Sequence, residues 1–315
     1  MPKVSIIIPN YCHSQYLDER IQSILSQTYK NFELIILDDC SPDEGKSKAV
    51  IEKYRNIPCV SHIVYNDKNS GSTFKQWDLG LSLAKGELIW IAESDDSCDP
   101  NLLASLVEEF NKYPKTVFAY TTSCHMDTDG QILMTPRKRR NRHYSGSQFI
   151  SRYMSMGNSV QNASSCIFRK NLALSVDRLY TSYRGAGDRL FWILLAEQGE
   201  VSIVNKGLNY FRKHCSNTTA KCYADGSNFF EDKEIFDYIS SKGLMGYFNK
   251  CGAKWYVYEK CKRIQFVDKI VAQKVYNVWR LNRFECFVGG VYIQIVRLFN
   301  NFQLLKDIVL DQTNN

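Results

Sequence analysis

The chain has 315 residues, of which 44% are hydrophobic and 23% are charged, and its formal net charge is +7. These proportions are typical of a folded globular protein and exclude a disordered or fibrous chain. The length allows one large domain with an appendage, or two domains. No stretch reaches the roughly 18 apolar residues that a membrane span needs, so we expect a soluble or membrane-peripheral protein.

The cysteines and the first apolar run indicate the compartment. Eleven cysteines are scattered along the chain without a Cys-x-x-Cys pair. The odd number and the scatter favour reduced thiols over a disulfide framework or a zinc site. The apolar run at residues 4–8 is too short for a signal-peptide core and lacks a small-residue cleavage site, so it is interpreted as the first strand. We therefore expect a cytoplasmic protein.

Strand and helix patterns alternate through the first 120 residues. The predicted strands are 4–9, 32–37, 62–65, 88–92 and 117–121, and the predicted helices are 16–27, 44–54, 73–85 and 100–113. This alternation predicts an α/β fold with a mostly parallel, doubly wound sheet flanked by helices. In such sheets, ligands bind outside the carboxyl ends of the strands.

Three carboxylates, Glu93, Asp95 and Asp96, follow the fourth predicted strand within four positions. The apolar run before them is too short for a helix, so we expect these acids at the carboxyl edge of the sheet. Like charges this close repel one another, and a bound cation would offset the repulsion. The alternative is an acidic turn that caps the next helix at Asp99-Pro100. That alternative leaves Asp95 and Asp96 unexplained.

A basic run follows a short predicted strand at 131–134. Five of the six residues 137–142 are Lys or Arg. The run is either a solvated loop or a mobile cationic flap over an anionic ligand such as pyrophosphate. It has no interleaved aromatic residues and no nucleic-acid-binding module is recognisable, so we expect no nucleic acid partner.

The second half of the chain continues with predicted strands at 163–169, 201–204 and 208–212 and a predicted helix at 188–197. Asp188, at the start of that helix, is either an N-cap or a cleft carboxylate. Beyond Phe229 the chain is helical and basic, with eleven Lys or Arg and five Asp or Glu from Lys250 to Asn315. This region is either a helical cap on the main domain or an interfacial helix on an anionic membrane leaflet.

Several segments form a recognisable combination in their order along the chain. They are Val4-Ser5-Ile6-Ile7-Ile8-Pro9-Asn10-Tyr11, residues 23–29 with 32–41, Glu93-Ser94-Asp95-Asp96, Gly187-Asp188 and Arg212-Lys213-His214. The combination resembles the inverting glycosyltransferases of family 2, which have the GT-A fold, particularly bacterial enzymes of surface polysaccharide synthesis such as that of O-antigen and capsule. The resemblance implies a GT-A domain over 1–220, with a nucleotide-sugar-binding half at 1–122 and an acceptor and catalytic half at 123–220. Residues 221–315 lie outside it, as a helical basic region that would contact a membrane surface or another subunit.

The resemblance also implies which residues bind the donor. Those assigned to the nucleotide are Pro9, Tyr11, Asp39 and Asp95. Lys68 and Lys75, in the polar segment before the central strand, are candidates for binding the diphosphate, with an ordinary surface position as the alternative for each.

The metal, the base and the acceptor are assigned in the same way. Asp96 would bind Mn²⁺ or Mg²⁺ and His214 would complete the metal shell, a mixed oxygen and imidazole set that suits Mn²⁺ better than Ca²⁺. Glu93 replaces the more common Asp, so its contact with the metal is either direct or through water. Asp188 would be the catalytic base. The residues assigned to the acceptor are Arg189 and Trp192.

The expected function is a metal-dependent, inverting transfer of a sugar from a nucleotide-sugar, with UDP-sugars favoured. The acceptor would be a hydroxyl of a glycan or of a polyprenyl-diphosphate-linked sugar, reached at the inner face of the cytoplasmic membrane. One alternative is a sugar-nucleotide nucleotidyltransferase, although residues 10–13 are not the Gly-rich basic loop that such enzymes need. The other is a catalytically inactive carbohydrate- or membrane-docking module. The joint presence of four predicted acids and one histidine, Asp39, Asp95, Asp96, Asp188 and His214, argues against it.

Overall fold

A computed structural model describes residues 4–214 and 218–312. Over these residues one ten-stranded sheet has the strand order β3-β2-β1-β4-β9-β6-β10-β5, with β7 paired to β6 and β8 paired to β10. The strands are β1 (Val4–Asn10), β2 (Phe32–Asp38), β3 (Val60–Tyr65), β4 (Leu88–Ile91), β5 (Ser97–Cys98), β6 (Thr116–Met126), β7 (Ile132–Met134), β8 (Arg142–Ser145), β9 (Cys166–Arg169) and β10 (Glu200–Arg212).

Twelve α-helices flank this sheet within the described ranges. They are α1 (Ser14–Leu25), α2 (Lys46–Glu52), α3 (Thr73–Leu83), α4 (Leu102–Lys112), α5 (Gly146–Phe149), α6 (Lys170–Ser175), α7 (Gly187–Ala196), α8 (Thr218–Ala224), α9 (Ser227–Ser241), α10 (Tyr247–Cys261), α11 (Lys269–Val278) and α12 (Arg283–Gln312). Short 3₁₀ or π turns cover Ile150–Met154, Ala163–Ser165 and Arg178–Ser182.

The predicted α/β class is confirmed, but four strands, β5, β7, β8 and β9, run antiparallel to their neighbours. Strands β1 to β4 are mutually parallel and β6 is parallel to β10. Strand β9 lies between β4 and β6 and is antiparallel to both, so the sheet is mixed. Because β9 is antiparallel to both β4 and β6, those two strands run in the same direction. The carboxyl ends of β1, β2, β4, β6 and β10 therefore lie at the same edge of the sheet.

The core lies on both faces of the sheet. The central strands have no solvent-facing side, since every residue of β1 and β4 is buried, as expected for parallel strands covered by helices. Helices α1, α2 and α4 pack on one face, and α3, α5 and α7 pack on the other.

The C-terminal helices belong to the same core as the sheet. Phe229, Ile235, Ala253 and Val257 of α9 and α10 join the cluster that covers the α7 face. The predicted boundary at residue 220 therefore does not separate two cores.

Helix α12 carries an apolar stripe on its outer side. The stripe consists of Phe284, Phe287, Val291, Ile295 and Leu298, which are between 44% and 70% exposed. Among the described helices, none combines the length and the hydropathy needed to cross a membrane.

Candidate active site

The shared carboxyl edge of the sheet brings together three side chains that are distant in sequence. His13 follows β1, Asp95 follows β4 and His214 follows β10. One nitrogen of each imidazole and one oxygen of Asp95 all lie within 4.8 Å of one another. Nε2 of His214 lies 2.9 Å from Oδ2 of Asp95, and Nδ1 of His13 lies 2.9 Å from Oγ of Ser94. We name these three residues, His13, Asp95 and His214, the triad.

The chemistry of the triad fits a divalent metal ion. Two imidazole nitrogens and one carboxylate oxygen are donors that first-row divalent ions accept. Burial lowers the pKa of His13, which keeps the ring in the neutral, ligating form. Burial alone would raise the pKa of Asp95, but the hydrogen bond from His214 and the electrostatic influence of the two imidazole rings hold that pKa below its usual value. Asp95 is therefore ionised at neutral pH.

Arg212 holds the triad in place from inside the protein. Its side chain is 1% exposed. Its guanidinium donates through Nε to the carbonyl oxygen of Asp95 at 2.8 Å and pairs with Glu19 at 2.5 Å. It also lies 4.5 Å from the ring centroid of Tyr16, which in turn stacks on His214. The last residue of β10 thus fixes both the backbone of Asp95 and the ring next to its carboxylate.

Asp96 has a different position from the one predicted. It is completely buried, and its Oδ2 accepts hydrogen bonds from Asn162 at 2.7 Å and Ser164 at 2.6 Å. Its Oδ1 accepts from the backbone N–H of Arg212 at 3.0 Å. Asp95, predicted as the ribose contact, carries the oxygen beside the histidines, whereas Asp96, predicted as the metal ligand, holds the turn from inside; both roles stay predictions. Burial, and then the charge of Asp95, raise the pKa of Asp96 to about 7.

Glu93 points toward α3 and lies outside the triad. Its Oε1 accepts a hydrogen bond from Nε1 of Trp77 at 3.2 Å, and its backbone N–H donates to Ser164. Burial is the main reason that the pKa of Glu93 rises to about 8, with Asp95 and Asp96 adding to it. The residue that departs from the family pattern is thus held by Trp77.

Asp188 lies in the first turn of α7. Its Oδ2 accepts from Nδ2 of Asn158 and its Oδ1 accepts from the backbone N–H of Arg189, both at 2.7 Å. Burial raises the pKa of Asp188 to about 7, and the charge of Asp232 adds to this rise. A fixed carboxyl with a pKa near neutrality suits a general base.

One short segment, residues 158–162, connects Asp188 to the triad. Asn158 holds Asp188, and Asn162 holds Asp96 next to Asp95. The Cα atoms of the two asparagines are at most about 14 Å apart, since only four residues separate them. One short segment therefore links the predicted base to the turn that carries Asp95.

The structure corrects the predicted acceptor residues. Arg189 is 3% exposed, and its guanidinium contacts Asp232 at 2.5 Å and the carbonyl oxygen of Met154. Trp192 is completely buried against Phe118 and Phe168. Neither side chain reaches the cleft, so the prediction that they border the acceptor is wrong.

The residues predicted for the nucleotide surround the ends of β1 and β2. Pro9 is buried within β1, whereas Tyr11 is 45% exposed, and Lys68 and Lys75 are exposed on the segment before and within α3. The Asp39 side chain is 4% exposed and accepts hydrogen bonds from four residues of that segment. These donors are Asn66, Asn69, Ser70 and Gln76.

Asp39 therefore holds the 66–76 segment against the strand ends. A carboxylate offers about four lone-pair sites, and these donors use them. Contact with a base N–H would require exchange of one of these bonds. Lys75 donates to the carbonyl oxygen of Ser70 at 2.9 Å, at the mouth of the same site.

The site contains residues that the sequence patterns did not single out. His13 is the main one, whereas Arg212 lies in the segment Arg212-Lys213-His214, whose pattern assigns a role to His214 alone. A second sign of the site is that Cys12 and Cys40, directly after β1 and β2, have φ angles of 59° and 58°. Non-glycine residues in this left-handed region cost about 1–2 kcal/mol each and concentrate at functional sites.

Comparison with known proteins supplies independent information. The sequence model of the family described as "Glycosyl transferase family 2" matches residues 5–172. The chain is 31% identical over 132 residues to the putative teichuronic acid biosynthesis glycosyltransferase TuaG of Bacillus subtilis, which covers 42% of this chain and 51% of TuaG. It is 36% identical over 108 residues to the poly(ribitol-phosphate) beta-N-acetylglucosaminyltransferase TarP of Staphylococcus aureus, covering 34% of this chain and 32% of TarP. The chain thus matches about half or less of the length of these relatives.

Solved structures share the fold. TarS 1–349 of S. aureus in complex with UDP-GlcNAc superposes with a TM-score of 0.61 and 19% identity, covering 93% of this chain and 81% of that one. The mannosyltransferase PcManGT of Pyrobaculum calidifontis, in complex with GDP-Man and Mn²⁺, superposes with a TM-score of 0.52 and 14% identity, covering 94% and 75%.

Proposed function

Since the chain belongs to glycosyltransferase family 2, we propose that it transfers a sugar from a nucleotide-sugar, with a UDP-sugar favoured, to a hydroxyl of a cell-surface glycan, with inversion at the anomeric carbon. The observation that supports the proposal is that the triad lies at the carboxyl edge of the sheet and that one short segment, residues 158–162, holds both Asp188 and the turn of Asp96. A charge-stabilising site and a base are the two groups that such a transfer needs.

The triad would hold the ion, Mn²⁺ or Mg²⁺, with the imidazoles favouring Mn²⁺. When bound, such an ion acts as a Lewis acid that stabilises the charge on a departing diphosphate. Arg212 and Asp96 keep Asp95 oriented for this role, because one holds its carbonyl oxygen and the other fixes the following turn.

Asp188 would act on the acceptor. Its carboxylate takes the proton of the acceptor hydroxyl while the hydroxyl oxygen forms a bond to C1 of the donor sugar. The bond between C1 and the diphosphate oxygen breaks, and its electron pair leaves with the nucleoside diphosphate. Attack from the face opposite to the leaving group inverts C1. Asn158 and the N–H of Arg189 orient the carboxylate for this step.

The family relatives support the class of donor and acceptor. The fold relative TarS binds UDP-GlcNAc, as the description of its complex states. The names of TuaG and TarP refer to teichuronic acid and poly(ribitol-phosphate), which are anionic cell-wall polymers. A surface-polysaccharide acceptor, free or linked to a polyprenyl diphosphate, is consistent with both.

We extend the proposal to the membrane surface. The apolar stripe of α12 and the excess of basic residues beyond Lys250 suit an anionic leaflet. Co-sedimentation with phosphatidylglycerol vesicles should exceed that with phosphatidylcholine vesicles, and Phe287→Ser with Leu298→Ser should abolish it. Leu133→Ser, at an exposed apolar residue outside the stripe, should leave it unchanged. Equal vesicle binding by the wild type, the double variant and Leu133→Ser would contradict the proposed membrane contact.

Calorimetric titration with UDP, GDP and dTDP, each with and without Mn²⁺, tests the donor. Metal-dependent binding of one of them, followed by release of that diphosphate from its sugar nucleotide, is the expected result. Release of pyrophosphate from a nucleoside triphosphate and a sugar phosphate would indicate the nucleotidyltransferase instead. Binding without any turnover on a panel of glycan acceptors would indicate the inactive module.

A further inference from the structure

A cavity of about 380 Å³ lies beside β6, on the same face of the sheet as α7. Its floor is the stretch 120–123 of β6, and its roof comes from the 134–142 segment. Ser159 and Gln161 form one wall. They lie between Asn158 and Asn162, whose side chains donate hydrogen bonds to Asp188 and Asp96. The cavity therefore adjoins the predicted base across a single short segment.

The lining of this cavity is cationic and hydroxyl-rich. Arg139 and Arg142 lie on the roof, and Thr121, Thr122 and Ser123 lie on the floor. None of the described residues that line it is Asp or Glu. Sites for uncharged sugars gain from carboxylates, which accept hydrogen bonds from sugar hydroxyls. Guanidinium groups instead pair with carboxylate or phosphate oxygens.

The basic segment is fixed over the cavity by its backbone. Arg142 begins β8, which pairs with β10 opposite Ile203. Asn205 of β10 donates to the carbonyl oxygen of Arg140 at 2.5 Å, and its N–H donates to Oδ1 of Asn141. The backbone from residue 140 onward is therefore anchored, which places Arg139 and Arg142 on the cavity side. Arg137 and Lys138 do not line it.

We propose that this cavity binds a negatively charged group of the acceptor glycan, a carboxylate or a phosphate, next to the sugar whose hydroxyl faces Asp188. The inference rests on the proposed function and adds the chemical class of the acceptor. It assigns Arg139 and Arg142 as residues that select an anionic glycan over a neutral one.

Two matched pairs of probes test it on the full chain, with UDP and Mn²⁺ saturating so that the donor site is filled. Methyl β-glucuronide is compared with methyl β-glucoside, and glycerol 3-phosphate is compared with glycerol, by saturation-transfer NMR titration. The anionic member of at least one pair should bind about fivefold or more tightly than its neutral partner. Which pair responds distinguishes a carboxylate from a phosphate.

Matched variants locate the binding. Arg139→Gln and Arg142→Gln should weaken binding of the anionic probe by roughly three- to tenfold, while Arg137→Gln, in the same basic segment, should change it less than about twofold.

Three results would overturn the inference. They are equal binding of neutral and anionic probes, an equal effect of Arg137→Gln and Arg139→Gln, and absence of binding by every probe. Calorimetric titration of the same samples with UDP and Mn²⁺ distinguishes failure of this inference from failure of the proposed function. If the wild type binds UDP and no anionic probe, only this inference fails; if it binds no nucleotide at all, the proposed function fails.

Discussion

Nε2 of His214 lies 2.9 Å from Oδ2 of Asp95, although 119 residues separate the two in the chain. Strands β4 and β10 deliver them to the same edge of the sheet, and the turn after β1 adds His13. Two imidazoles beside one ionised carboxylate are the donor set of the proposed metal site. The acids after β4 are thus divided between two tasks, with Asp95 beside the histidines and Asp96 inside the protein.

His13 should contribute to metal affinity. His13→Gln removes one of the three donors, so the dissociation constant for Mn²⁺ should rise about tenfold or more. Electron paramagnetic resonance of free Mn²⁺ during titration measures this. His62→Gln, on β3 and outside the triad, is the control and should bind Mn²⁺ like the wild type. Unchanged Mn²⁺ affinity in His13→Gln would show that His13 is not a metal ligand.

Asp188→Asn should abolish the base without disturbing the fold. The amide keeps an oxygen for the N–H of Arg189, so unfolding temperature and UDP affinity should stay close to wild type. Transfer should fall by about 10²–10⁴-fold, the usual contribution of a general base. Near-normal transfer by this variant would show that another group removes the proton.

The pH dependence of transfer should follow the ionisation of the Asp188 carboxyl. A base must be ionised to accept a proton, and the pKa of Asp188 is raised to about 7. The value of kcat/KM should therefore rise with pH, level off above about 7 and fall roughly tenfold per unit below it. Asp232→Asn should move the midpoint to lower pH, because the charge of Asp232 raises the pKa of Asp188. A flat profile between pH 5 and 8 would contradict the assignment.

Glu231 of α9 should position the base. Its carboxylate accepts hydrogen bonds from the backbone N–H groups of Arg184, Gly185 and Ala186, just before α7. Glu231→Ala leaves three donors without this acceptor and should lower the free energy of unfolding by about 1–2 kcal/mol. It should reduce kcat more than it changes the KM for the donor. Glu234→Ala is the control, because Glu234 accepts from the side-chain hydroxyl of Tyr183; equal kcat losses in both variants would argue against positioning.

The strands and helices of the first 120 residues could be predicted because buried Val and Ile runs alternate with amphipathic helices. The reversed direction of β9 could not, since the apolar pattern of a strand is the same in both directions. The roles of Asp95 and Asp96 depend on how one turn directs two adjacent side chains, which the sequence does not record. In contrast, α7 is apolar on most of its faces, and helices of this kind are buried. That pattern already argued against an acceptor role for Arg189 and Trp192.

The most direct test of the account is a Mn²⁺ titration in the presence of UDP with the wild type, Asp95→Asn and Asp96→Asn. The wild type should bind one ion per chain. Asp95→Asn should lose detectable binding, because it removes the carboxylate of the triad. Asp96→Asn should keep binding, weakened by at most about 100-fold, as expected for a residue that only supports a ligand. Loss of Mn²⁺ binding in Asp96→Asn together with retention in Asp95→Asn would contradict the central claim.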